Sequence, residues 1–294
     1  MLSATEAQIV ADLFYRLDIQ TRFDLSRGLI ADERDYVSRL AHSLSYPFGV
    51  FNHYSFNSLK LSSKWFARVN DGTMERRFGC DSMIVFQVED QVKVGLFEAK
   101  WPRVIKDPGY HWDRYQKSVK RSHFTHQIER QAKWSKQAAI WEMFFLELSP
   151  GTVHVKYDLL GSSCVHHKIA KRLITKDPSL KMLWENKDIE ALLSEAQHSP
   201  LGLKIETNLK TMINGLLNCS LGKPVKVDPG QSSFELRSND KKMQVRIPML
   251  FGKSYDEPLS RLTTDREYSG NENIGGFMEE NGLSFFQFVK VDKQ

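Results

Sequence analysis

The chain has 294 residues, a formal net charge of +5, 41% hydrophobic and 26% charged residues, which describes a soluble globular protein of one large or two modest domains. No run approaches the ~20 consecutive apolar residues of a membrane span, which argues against a helical membrane protein. The three cysteines, Cys80, Cys164 and Cys219, lie far apart with no C-x-x-C spacing. That argues against a disulfide framework and a zinc ribbon, and suits a reducing cytoplasm.

The N-terminal MLSATEAQIVADLFYRL carries Glu6 and Asp12 and has no basic start before its apolar residues. It predicts an amphipathic helix rather than a signal peptide. Residues 31–44, ADERDYVSRLAHSL, place Tyr36, Leu40 and Leu44 at i, i+4 and i+8, with Val37 and Ala41 widening the stripe. This is one face of a second helix, and Glu33 lies near its start, where a carboxylate favours the helix N-terminus.

Residues 79–101, GCDSMIVFQVEDQVKVGLFEAKW, are the most informative stretch. Two runs rich in β-branched and aromatic residues flank the polar turn Glu89-Asp90-Gln91, as in a hairpin. Centring the turn near Asp90 makes the numbers of facing residues sum to about 179. Asp81 then faces Glu98, Met83 faces Leu96 and Val85 faces Val94, and Lys100 points the same way as Glu98 because side chains alternate. Apolar residues on both faces predict a central pair covered on both sides.

Two carboxylates and a lysine at the end of a buried sheet are a costly arrangement unless they serve a ligand. Hard carboxylate oxygens suit magnesium. Such an ion lowers the pKa of a bound water and neutralises charge on a phosphate, and a lysine beside it can orient or deprotonate the water or hold the phosphate. The bland alternative is a solvated salt-bridge cluster. The tripeptide alone means little, since Glu-x-Lys recurs at Glu185-Asn186-Lys187 in a helical context.

The stretch from Lys100 to Lys136 holds ten Lys/Arg against three Asp/Glu, a surplus of +7. Arg103, Lys106, Arg114, Lys117, Lys120, Arg121 and Arg130 are interleaved with Trp101, Tyr110, Trp112, Tyr115 and Phe124. Cations mixed with flat side chains suit a nucleic acid, although a charge run is commonly just a solvated face. Gln127, Gln131 and Trp134 then fall on one face of a helix. The run AAIWEMFFLEL at 138–148 reads as a buried strand. Cys164 with His166 and His167 lacks the fourth ligand of a zinc site.

Beyond this, 179–198 and 203–217 predict helices, and 221–250 predicts strands around a turn at Ser238-Asn239-Asp240. A tail rich in Gly, Ser, Asn and Asp ends on the apolar FFQFV. The expected organisation is an α/β core over 1–165, with N-terminal helices, and an α+β extension over 166–294 that either stands apart or completes one compact fold.

GCD before an apolar strand, and a second strand ending FEAK, resemble the PD-(D/E)XK nuclease superfamily, with Asp81, Glu98 and Lys100 at its signature positions. Cys80 stands where that family often has proline. The resemblance covers roughly residues 25–160. It implies a restriction-endonuclease-like core, a mixed central sheet flanked by helices. It implies that Asp81 and Glu98, with the Ala99 carbonyl, bind magnesium, for which manganese can substitute. Glu33 from the preceding helix is a further carboxylate of this kind, with Glu75 as its rival. Gln127 or Gln131 would support the phosphate or the metal. The implied activity is hydrolysis of DNA, in a cytoplasmic enzyme that could act as a homodimer or larger assembly. An RNA nuclease shares the same site, and a non-cleaving DNA-binding or assembly module shares the fold.

Overall fold

The computed structural model describes residues 2–45, 59–68, 77–101, 112–113, 115–118, 120–145, 161–197, 208–250 and 274–293. In chain order the elements are α1 (Ala4–Ser26), α2 (Glu33–Ser45), β1 (Leu59–Ala67), β2 (Ser82–Val88), β3 (Gln91–Lys100), β4 (Tyr115–Gln116), β5 (Arg121–Ser122), α3 (His123–Gln131), β6 (Ala139–Phe144), β7 (Ser163–His166) and α4 (His167–Lys176). There follow α5 (Asn186–Gln197), α6 (Leu209–Leu217), β8 (Val225–Lys226), β9 (Ser233–Arg237), β10 (Gln244–Pro248), α7 (Ile274–Asn281) and β11 (Phe285–Lys293).

Both N-terminal helices form as their periodicity predicts. Ser3 caps α1 reciprocally with Glu6: the Glu6 N–H donates to Ser3 Oγ, and the Ser3 N–H donates to Glu6 Oε2. This box satisfies donors that a helix start leaves orphaned. A buried polar knot fixes α2 against α1. The Tyr36 hydroxyl donates to Asp18 Oδ1 at 2.8 Å, and the Ser162 N–H donates to Asp18 Oδ2 at 2.6 Å.

The central sheet is mixed, in the order β1-β11-β2-β3-β6-β7, with β8 added to β3. The β2–β3 hairpin has the register read from the sequence, with Val85 opposite Val94 and Ser82 opposite Phe97. Its turn is tighter than expected: Gln91 already pairs with Val88, and Glu89 takes the left-handed φ of 55°. β6 joins β3 in parallel, as expected when a helix, here α3, intervenes. β11 was not anticipated as a sheet strand. It lies between β1 and β2, antiparallel to the first and parallel to the second. The last strand of the chain is therefore integral to the sheet that holds the hairpin.

Every residue of β2 and of β6 is buried, because helices or chain cover both faces. On one face Val10, Phe14, Tyr36, Leu40 and Ile213 pack with Ile84, Phe86 and Trp141. On the other, Met83, Val85, Leu96 and Ile140 pack with Trp134, Phe234, Ile247 and Phe277. A third apolar cluster joins α3, α4 and α5 through Phe124, Ile128, Ile169, Trp184 and Leu192. The molecule is thus α/β, a mixed sheet between helical layers. Among the described residues no helix is long and apolar enough to cross a membrane.

Candidate functional site

Asp81, Glu98 and Lys100 come together where β2 begins and β3 ends, and they are 3%, 2% and 7% exposed, far from the solvated cluster that was the bland alternative. Lys100 Nζ donates to Glu98 Oε1 at 3.1 Å and to Gln127 Oε1 at 2.7 Å. It also sits 4.6 Å from the centre of the Phe124 ring, within cation–π range. The Gln127 amide nitrogen donates to the same Glu98 oxygen, closing a three-membered network. Asp81 Oδ1 accepts from the Ser82 hydroxyl at 2.9 Å, and its backbone carbonyl accepts from the Ser284 and Phe285 N–H groups at the head of β11. By contrast, the second Glu-x-Lys is a surface pair, with Lys187 and Glu185 at 2.9 Å and side chains 76% and 48% exposed.

Local sequence explains how α3 delivers Gln127. Ser122 caps the helix by accepting from the Thr125 N–H, and buried Asp113 accepts from the Phe124 N–H. Phe124 and Ile128 anchor one side of the helix, while Gln127 and Gln131, both fully buried, face the sheet. The two glutamines have different partners. Gln131 donates to the Gly79 carbonyl at 3.1 Å and accepts from His167 Nδ1 at 2.9 Å. It therefore ties the GCD turn to the start of α4.

Gly79 has φ +71°, and a Cβ there would lie 2.4 Å from the Gln127 carbonyl oxygen. Only glycine permits both this backbone and this approach. Gly79→Ala is expected to cost about 2 kcal/mol or more, read as a lower urea midpoint. A midpoint equal to that of the wild type would show that the turn is not locked under α3.

A residue not singled out in the sequence completes the site. Glu142 on β6 is directly beside Glu98 in the parallel register and is wholly buried. Neither of its carboxylate oxygens has a hydrogen-bond partner. Burial raises its pKa to about 8, opposed by Lys100 and reinforced by Glu98; the Gln131 amide also lowers it without reaching hydrogen-bond geometry. One signal was legible: this is the one charged residue in the strand Ala139–Phe144.

Burial disfavours charge on Lys100, yet Glu98, Glu142 and Glu33 together hold its pKa above the ordinary lysine value. Lys100 is accordingly an ammonium donor. Glu33 is the first residue of α2, half-buried, and its charge reaches Lys100. Burial and the surrounding carboxylates push the Cys80 thiol well above its usual range, so it is an inert core group. Burial pushes His167 down to about 3, which leaves the ring neutral, with Nδ1–H donating to Gln131 and Nε2 unpartnered.

Glu75, Arg103, Lys106 and Arg114 lie outside the described residues. Lys117 and Lys120 are exposed beside the β4–β5 hairpin, Arg121 pairs with Glu129, and Arg130 is half-buried on α3. Two of the interleaved aromatics are not surface groups. Trp112 and Phe124 are buried, Trp112 donating to Asn186 Oδ1 and Phe124 lying under Lys100, so they build the site rather than stack on a ligand.

The donor set fits a hard divalent cation: carboxylate oxygens crowded at one sheet end, one lysine to balance them, and a buried carboxylate without donors. Among the described residues no three His, Cys, Asp or Glu side chains form a ready-made metal cage. No protein-family model matches the chain, and searches of curated proteins and of solved structures returned no match.

Proposed function

We propose that this chain is a magnesium-dependent nuclease of the PD-(D/E)XK type that hydrolyses DNA. One observation carries the reading: the hairpin register sets Asp81 beside Glu98, with Lys100 on the same face bonded to Glu98 and Gln127. The order α2, β1, β2, β3, α3, β6, with β11 between β1 and β2, is a mixed α/β arrangement that supports the reading of a restriction-endonuclease-like core.

Asp81 and Glu98, with the Ala99 carbonyl, are the residues that would hold the cation, and Glu33, whose charge reaches Lys100, would assist. When bound, the cation supplies charge neutralisation at the phosphate and acidifies water. The other roles belong to side chains of the chain itself. Water attacks phosphorus and releases a proton to solvent, the bond to the leaving sugar oxygen breaks, and that oxygen takes up a proton from solvent. Lys100, an ammonium in the cation-free fold, donates to a non-bridging phosphate oxygen. Gln127 fixes Lys100 and Glu98 relative to one another. Lys117 and Lys120, exposed in the β4–β5 hairpin that precedes α3, would provide cations for the strand.

Purified protein incubated with circular DNA, linear DNA or RNA in magnesium, manganese or chelator tests this. DNA cleavage is expected with either ion, absent in chelator, and reduced by ~10³-fold or more in Asp81→Ala. Cleavage that survives Asp81→Ala or the chelator would sink the reading. RNA cut in preference to DNA would move the substrate, and binding without cleavage under every ion would make this a DNA-binding module.

A further inference from the structure

We propose that three turns gathered beyond the end of α3, at 132–137, 222–223 and 238–242, form a second binding surface for the nucleic-acid backbone, outside the cleavage site. This rests on the nuclease reading above, which makes a phosphodiester strand the polyanion at hand, and carries the substrate contact past the bond that is cut. The turns deliver Lys133, Lys136, Lys223, Lys241 and Lys242, all exposed, against one acid, Asp240. The Asp240 carboxylate is engaged within its own turn, accepting from the Ser238 hydroxyl at 2.6 Å and from the Lys242 N–H at 3.1 Å. On the neighbouring elements α3 and β9, Glu129 and Glu235 are paired with Arg121 and Arg237.

Specific hydrogen bonds build the cluster. Asn239 ties the last turn to the first: its N–H donates to the Lys133 carbonyl at 2.7 Å, its Nδ2 to the Ala132 carbonyl at 2.6 Å, and its Oδ1 accepts from the Lys136 N–H at 3.0 Å. The Lys223 N–H donates to the Gln137 carbonyl at 2.9 Å, and a Cβ on Gly222 would lie 2.8 Å from the Ala139 nitrogen, so the middle turn presses on the same segment. Turns far apart in sequence thus hold like charges in one place, and their mutual repulsion opposes folding unless a polyanion relieves it. Lys241 even takes the left-handed φ of 60°, where glycine or asparagine is usual. The patch adjoins the site. Gln131 donates to the Gly79 carbonyl and Trp134 Nε1 to the Arg77 carbonyl, on the chain that leads into Asp81. Lys133 follows Gln127 by six residues. Such a step along a helix is about 9 Å, which with the reach of a lysine corresponds to roughly three to five nucleotides at ~3.4 Å each. The one ring in the first turn, Trp134, is wholly buried. The surface therefore offers charge to phosphates and no platform to bases, and its grip is independent of sequence.

The test reads salt dependence. Two double variants of the full chain, Lys133→Gln/Lys136→Gln and Lys241→Gln/Lys242→Gln, are compared with wild type by fluorescence anisotropy on labelled duplex DNA, in chelator and across a salt series. Each should weaken binding on the order of tenfold and lower the log–log salt slope by about 1–2, since each lost phosphate contact contributes ~0.9. Two duplexes of unrelated sequence should lose equally. In magnesium, the four substitutions combined should raise KM for plasmid cleavage and leave kcat unchanged, the mark of binding outside the chemistry. Lys168→Gln/Lys171→Gln removes the same charge from the exposed side of α4 and should leave the slope at its wild-type value. Circular dichroism verifies that each variant is folded. Slopes unaltered by both patch variants, or lowered as much by the α4 variant, overturn the inference and leave the nuclease reading standing. Patch variants that hold DNA as wild type does but release vesicles of anionic phospholipid also overturn it, in favour of a membrane-facing surface. Wild type that neither binds nor cuts DNA overturns both.

Discussion

Lys100→Met is expected to lower DNA cleavage by roughly 10²–10³-fold, the range for losing one donor to the developing transition-state charge, and to destabilise the cation-free fold by about 3–5 kcal/mol, the cost of stranding one member of a buried ion pair. Both effects come from one geometry. Lys100 is the ammonium that balances Glu98, 2% exposed, with Glu142 beside it and Asp81 opposite. Methionine keeps the aliphatic stem and its packing on Phe124 while removing the charge and both hydrogen bonds. Gln127 then loses the donor to its carbonyl oxygen as well. The stability loss should shrink when magnesium is added, because a bound cation replaces the missing positive charge and any ligand of the native state stabilises it by mass action. Urea unfolding with and without magnesium, beside single-turnover cleavage, separates the two effects. A variant that cleaves at the wild-type rate removes Lys100 from the chemistry. One that is equally stable in chelator shows that Glu98 is not ionised beside it.

The hairpin was legible because strand alternation is local. Apolar residues on both sides of the polar turn Glu89-Asp90-Gln91 point to a sum of about 179, seen in Val85 opposite Val94, and that sum alone brings Asp81 to Glu98. Helix α2 was legible for the same kind of reason, a stripe at helical spacing within thirteen residues. What escaped was non-local. Glu142 sits in a run of apolar residues, and its placement beside Glu98 depends on a parallel register across an intervening helix, which no local pattern encodes. β11 pairs with strands some two hundred residues earlier, so its apolar sequence marked burial without marking a strand or its neighbours. The two glutamines show the same limit. Four-residue spacing puts Gln127 and Gln131 on one face, but that face spans two targets, the Lys100 ammonium for one and the Gly79 carbonyl for the other. The aromatics of the basic stretch misled for a related reason. Composition cannot distinguish a ring that meets a base from a ring that supports a lysine, as Phe124 does.

In chelator, the wild-type stability should be nearly flat between pH 4.5 and 6.5 and should fall on either side, because two buried groups pull in opposite directions. His167 titrates at about 3 in the fold against 6.5 in the unfolded chain. The unfolded state therefore binds more protons between those values, and stability drops as pH falls through that window, by about 1.4 kcal/mol per unit at most. His166, pushed down to about 4 by burial and then by Lys168, adds to the same slope. Glu142 runs the other way. Its pKa is raised from 4.5 to about 8, so its contribution is fully present below 4.5 and is lost as pH rises through 8. Asp18, raised by burial despite its hydrogen bonds to Ser162 and Tyr36, works in the direction of Glu142. Single substitutions expose the hidden slopes. Glu142→Gln should leave stability unchanged near pH 4.5 and gain progressively to about 2–4 kcal/mol over wild type at pH 8, since a neutral isostere has no charge to desolvate. His167→Asn, which keeps a donor toward Gln131, should lose less stability than wild type as pH falls from 6.5 towards 3. Urea midpoints across the range read both. If the Glu142→Gln and wild-type curves run parallel from pH 4.5 to 8, Glu142 carries no strained charge. If they diverge in chelator and converge when magnesium is added, the charge that the fold tolerates so poorly is one that a cation relieves.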